Sequence, residues 1–197
     1  MLTSCNSIDT IENKDFNTFV DCVGRTVEIP KEINKVAVID SFSGEAMVLI
    51  GAGDKMVSCS GGLRTDKIIQ DIYPDVVNIP SVHSDGAINA EALLELDPDV
   101  VLVKNSFYIA DKEKTKLDKL GIPYLVITFN SMEEQIVAIN MIGDIIGGIP
   151  REKAREICDY YQKTIDLTKE ISSKILDEEK VSVYHSNNQA FRTDGKD

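Results

Sequence analysis

From position 36 onward, short apolar runs alternate with stretches in which apolar positions recur every three or four residues. The runs at 36–39, 56–59, 76–79, 100–103 and 124–128 are strand-length and bounded by turn residues, so they predict buried β-strands. The stretches between them, 44–50, 67–73, 89–96, 111–120 and 132–146, predict helices. The last opens on Ser131 with Glu134 three residues on, a capping-box spacing, and continues through Ile136, Ile139, Ile142 and Ile146. Helices between consecutive strands imply parallel neighbours, which predicts an α/β fold with a doubly wound, mostly parallel sheet. Ahead of it, 18–30 holds two runs of strand formers around Gly24 and closes on Pro30, the pattern of an N-terminal β-hairpin. Gly51-Ala52-Gly53 follows a helix and precedes a strand, the reverse of the order a dinucleotide-binding turn requires, so it predicts a helix C-cap.

The same pattern divides the chain. Residues 1–17 are mostly polar, with 6–17 lacking an apolar period, and predict a tether. Residues 18–148 form one α/β lobe. Gly147-Gly148-Ile149-Pro150 interrupts the pattern, and a long helix is expected over 149–177, with Ala154, Ile157, Cys158, Tyr161, Ile165, Thr168, Ile171 and Ile175 along one stripe. Such a rod is roughly 40 Å long, more than a crossover inside one small lobe requires, and is expected to join two lobes. A new strand is expected from Lys180 to His185. A strand without neighbours cannot bury its faces, so 178–197 is expected to begin a second, truncated lobe.

Composition narrows the partners. The chain has 197 residues, 43% hydrophobic and 27% charged, enough for one domain or one lobe of a larger protein. Lys and Arg total 21 against 33 for Asp and Glu, and a net charge of -12 repels a phosphate backbone, so nucleic acid is excluded as a partner. No apolar run approaches the roughly 20 residues of a membrane span, which leaves a lipid anchor as the expected membrane contact. Cys5, Cys22, Cys59 and Cys158 contain no C-x-x-C pair and do not cluster with His83 or His185, arguing against a zinc or redox site. Cys22, Cys59 and Cys158 are expected as small buried residues. Cys5 follows Leu2-Thr3-Ser4 and resembles the lipobox cysteine at which bacterial lipoproteins are lipidated.

No serine elbow, H-E-x-x-H pair or Walker loop is present, so no catalytic residue, bound metal or cofactor is expected. Chemistry gathers instead in the expected loops at the carboxyl ends of the strands, where ligands bind in such sheets. These carry Ser41, Phe42 and Ser43; Arg64 beside Gly61-Gly62; His83 and Ser84; Lys104, Asn105, Phe107 and Tyr108; and Phe129 with Asn130. Aromatic rings offer flat apolar contact, while Arg64 and Lys104 suit the carboxylates or phenolates of a bulky chelate. His83 and Tyr108 are candidate axial ligands to haem.

Several segments together resemble the binding-protein family that serves ABC importers of ferric siderophores, haem and vitamin B12. The hairpin carries its opening pattern in Asp21, Gly24-Arg25, Val27 and Pro30, just before the run at 36–39. Glu45, Leu49 and Gly51 resemble its first helix. The segment 88–102, with Asn89, Glu91, an apolar helix and Pro98-Asp99, is the most specific match, and Leu120-Gly121-Ile122-Pro123 and Ile142-Gly143 to Gly147 continue it. Phe191-Arg192-Thr193-Asp194-Gly195-Lys196 resembles the loop after the first strand of the second lobe.

The resemblance implies an extracytoplasmic substrate-binding component, lipid-anchored at the cell surface or in the periplasm. Its two lobes would clamp a ferric siderophore, haem or corrinoid as cargo, with Arg192 reaching the ligand and Glu91 pairing with arginines of the membrane permease. A nucleotide-dependent α/β enzyme, and an adhesion or sensor module reusing the fold, are the alternatives.

Overall fold

The computed structural model describes residues 15–84, 86–104 and 111–183. The hairpin is formed by β1 (Phe16–Val20) and β2 (Thr26–Pro30), paired antiparallel. The strand begins at Phe16, inside the expected tether, because Phe16 and Asn17 still find ladder partners in Pro30 and Ile29. Gly24, with φ at 80°, turns the chain between them.

The main sheet contains β3 (Val36–Val38), β4 (Met56–Ser58), β7 (Val100–Lys104) and β8 (Tyr124–Ile127) in the order β4-β3-β7-β8, all parallel. A two-residue antiparallel ladder, β5 (His83–Ser84) with β6 (Ala87–Ile88), lies apart from it. The helices are α1 (Ser41–Leu49), α2 (Gly61–Thr65), α3 (Lys67–Ile72), α4 (Ala90–Leu96), α5 (Asp111–Leu120), α6 (Met132–Ile146) and α7 (Gly148–Ser172). Alternate strand residues feed two separate cores, as winding in both directions requires. Val36, Val38, Leu102, Leu125 and Ile127 pack with α1, α2, α3, α6 and α7. Ala37, Val101, Val103 and Val126 pack with α4, α5 and β6.

The expected strand at 76–79 is instead a 3-10 turn, Pro74–Asn78. Pro74 presets the turn, and only Val76 and Ile79 are buried while Val77 is exposed, a three-residue period that a strand cannot satisfy. Gly51 (φ 77°) ends α1 as expected. Cys59 and Cys158 are buried, whereas Cys22 is half-buried. Burial pushes the Cys158 thiol up to about 11, so it is protonated and inert at neutral pH.

The family-like segment around residue 98 has a structural explanation. Asp97 ends α4 in the left-handed conformation, with φ at 49°. The Asp99 carboxylate then accepts the backbone N–H groups of Asn34 (2.8 Å) and Lys35 (2.9 Å), while its own N–H reaches the Lys35 carbonyl. One residue thus aligns the starts of β3 and β7.

The long helix runs 25 residues, about 37 Å, and stops short of the expected 177. It packs on α6 through Ala154 and Cys158, with Ile157 and Tyr161 partly buried against the same core. From 166 onward α7 is wholly exposed, Leu167 and Ile171 included. No strand is assigned over 180–183, where Val181 and Val183 are more than four-fifths exposed with no ladder to join. The rest of the expected strand falls outside the described residues.

Candidate functional site

The chain leaves β3 for β4 on one side and returns to β7 on the other, so the sheet order reverses between β3 and β7. Crevices form at such a switch point, beyond the carboxyl ends of the strands. Asp40 follows β3 and caps α1, accepting the Ser43 N–H at 2.9 Å and the Ser43 hydroxyl at 2.8 Å. Ser41, Phe42 and Ser43, expected on a loop, therefore form the first turn of α1. Ser43 is fully buried and spends its hydroxyl on Asp40, which leaves Ser41 and Phe42 at the rim.

Ser60 follows β4 and caps α2 by accepting the Leu63 N–H. Gly61, Gly62 and Arg64, expected on a flexible loop, are helical for that reason. The Ser41 and Ser60 hydroxyls meet at 2.8 Å. A Cβ on Gly62 would stand 2.9 Å from the Ser41 oxygen, so glycine there lets the two helix starts approach.

From the other side of the switch point come Lys104 at the end of β7 and Phe129 just beyond β8. The Phe42 and Phe129 rings meet with centroids 4.5 Å apart at 53°, and the Lys104 ammonium lies 5.8 Å from the Phe129 centroid. Residues 42, 104 and 129, each placed at a strand end by the sequence, thus converge. His83 and Ser84 form β5 and line a separate groove of about 310 Å³ with Ser81 and Ala87. The exposed Asn130 donates its N–H to Glu134 at 2.6 Å, completing the cap of α6 one residue earlier than the expected box. Glu91 is exposed in the first turn of α4, whose cap is Asn89. Cys5, Asn105, Phe107, Tyr108 and Arg192 lie outside the described residues.

Asp40 and Ser60 belong to this site and were not singled out in the sequence, and Glu45 was noted only in the family-like first helix; the cap spacings Asp40–Ser43 and Ser60–Leu63 were the available signal. Burial raises the Asp40 carboxyl, against the two Ser43 bonds and the charge of Lys104. Burial also raises Glu45, followed by Asp66 and then Asp40, with Lys104 opposing. A raised carboxyl binds its proton more tightly in the folded state, so its charge destabilises the fold at neutral pH and is relieved as pH falls through the raised value. Glu45→Gln is therefore expected to raise Tm at about pH 7.5, with the gain fading toward about pH 4 in thermal unfolding. Among the described residues no group of three or more His, Cys, Asp or Glu side chains is placed to hold a metal ion. No described helix is long and apolar enough to cross a membrane.

Comparison with known proteins agrees with this architecture. The chain is 29% identical over 183 residues to the uncharacterized ABC transporter substrate-binding lipoprotein YvrC of Bacillus subtilis, covering 91% of this chain and 55% of YvrC. Among solved structures, the molybdate periplasmic binding protein MolA of Haemophilus influenzae superposes with a TM-score of 0.75 at 19% identity, covering 87% of this chain and 58% of that one. The petrobactin-binding protein YclQ of Bacillus subtilis gives 0.65 at 18% identity, covering 82% and 55%. The chain spans about half the length of the relatives it matches. Residues 36–193 match the family model described as periplasmic binding protein, and the chain belongs to that family.

Proposed function

We propose that this chain is the N-terminal lobe of an extracytoplasmic substrate-binding protein that captures a metal chelate and hands it to the permease of an ABC importer. The observation that carries this is the switch-point cluster: a Phe42–Phe129 pair, an ammonium beside it, and paired hydroxyls, with no metal-holding group among the described residues. Such a surface suits a bulky complex that arrives with its metal already coordinated. A ferric siderophore, haem or a corrinoid fits that description. The long α7 with its exposed far end would carry the chain into a second lobe, Arg192 would reach the ligand from there, and Cys5 would hold the lipid anchor. Glu91, exposed at the head of α4, would meet the permease. The similarity to YvrC, a substrate-binding lipoprotein, supports the transport role and the anchor.

The test is titration calorimetry of the full-length protein against ferric tris-hydroxamate and tris-catecholate siderophores, haemin, cyanocobalamin, sodium molybdate and free divalent metals. Binding of one chelate is expected, weakened by Phe42→Ala or Phe129→Ala; free metal as the only ligand would overturn the reading. A small oxyanion is the second reading. The hydroxyls of Ser41 and Ser60, at the starts of α1 and α2, favour it, and MolA is named for molybdate. Molybdate binding with indifference to both phenylalanine substitutions would select it.

A further inference from the structure

Charges reach the switch point from several elements. Asp40 and Glu45 stand at the cap and first turns of α1, Arg64 lies on α2, Asp66 at the joint of α2 and α3, and Lys104 ends β7. The end of β8 contributes Phe129 and Asn130, neither of them charged, with the Glu134 carboxylate held on the Asn130 N–H. Among the described residues at this end of the sheet the carboxylates Asp40, Glu45, Asp66 and Glu134 outnumber the cations Arg64, Lys67 and Lys104, the reverse of what a polyanion would need. At Glu45 burial, then Asp66 and Asp40, raise the carboxyl against Lys104, and the β3–β7 register, with Val38 opposite Leu102, brings Lys104 beside the start of α1. Asp40 is tied down by two hydrogen bonds to the buried Ser43, which fixes its charge at the rim.

We infer that Asp40 and Glu45 are specificity-determining residues: they offset Lys104 and lower the affinity of this face of the crevice for polyanionic chelates relative to neutral ones. The inference rests on the chelate-binding reading above. It assigns to α1 a discriminating role in which the aromatic pair supplies contact and the carboxylates select by ligand charge.

The experiment uses the full-length protein, Asp40→Asn, Glu45→Gln and the double variant. Asn caps a helix as well as Asp does, so α1 is expected to survive, and Glu45→Gln alone carries the test if Asp40→Asn does not fold. Each is titrated with a trianionic ferric tris-catecholate and a neutral ferric tris-hydroxamate. The double variant is expected to bind the trianion about tenfold more tightly while the neutral chelate shifts by less than about twofold. Equal shifts for both chelates, or none for the trianion, would overturn the inference.

A second arm needs no cargo. A cysteine introduced by Ser41→Cys is labelled with cationic and anionic methanethiosulfonate reagents. The cation is expected to react faster, and neutralising Asp40 and Glu45 should narrow that preference by about threefold; an unchanged preference would overturn the inference. Failure of every chelate to bind, with the labelling preference as expected, would count against the chelate reading alone.

Discussion

Asp21→Ala is expected to cost about 3 kcal/mol of stability, because it strips five hydrogen-bond donors of one buried acceptor. The Asp21 side chain is fully buried. It accepts the N–H groups of Val23 and Arg25, both the Nε and Nη2 of Arg25 at 2.9 and 2.8 Å, and the N–H of Val126 on β8 at 3.1 Å. Arg25 in turn donates to the Tyr124 carbonyl and lies 4.1 Å above the Tyr124 ring. Removing the acid leaves a half-buried guanidinium and the Val126 amide without their acceptor, and leaves the Cys22 N–H on the Val126 carbonyl, at 3.1 Å, as a remaining tie of the hairpin to the edge of the sheet. Urea denaturation measures the loss, and a drop below about 1 kcal/mol would show that the Cys22–Val126 backbone bond and apolar contact hold the hairpin instead.

Gly143→Leu is the second large effect, expected at about 3 kcal/mol. A Cβ placed on Gly143 would stand 2.5 Å from the Ala154 Cβ and 3.3 Å from the Arg151 Cα, so any side chain pushes α7 off α6. Cys158, four residues beyond Ala154, donates its thiol to the Ile136 carbonyl across the same seam. Displacement of α7 should therefore appear as faster labelling of Cys158 by a thiol reagent, alongside the lower unfolding midpoint. Ala154→Gly should restore much of the stability lost by Gly143→Ala; failure to do so would place the strain elsewhere.

The sheet was legible in the sequence because its strands are uniformly apolar and its helices strongly periodic. The run at 76–79 misled for a physical reason: a short apolar stretch does not reveal whether all its side chains find cover, and Val77 does not. For the site, Phe42, Lys104 and Phe129 could be placed at strand ends from the sequence. Their meeting could not, since it depends on β7 lying between β3 and β8, an order set by packing rather than by local pattern. Asp40 escaped notice because its signal, a cap three residues before a serine, reads as helix chemistry. Its place beside Lys104 becomes visible only once the fold sets β3 next to β7.

The bond from the Val126 amide to Asp21 spans 105 positions of chain. The hairpin forms from neighbours in sequence, yet its anchor does not exist until β8 has taken its place in the sheet. Contacts so distant along the chain close late and slow the folding of the whole. The hairpin, synthesised before the sheet, must therefore wait for β8 before it can lock. The Asp21–Arg25 turn, ready-made from the start, acts as the latch that closes after the sheet is built.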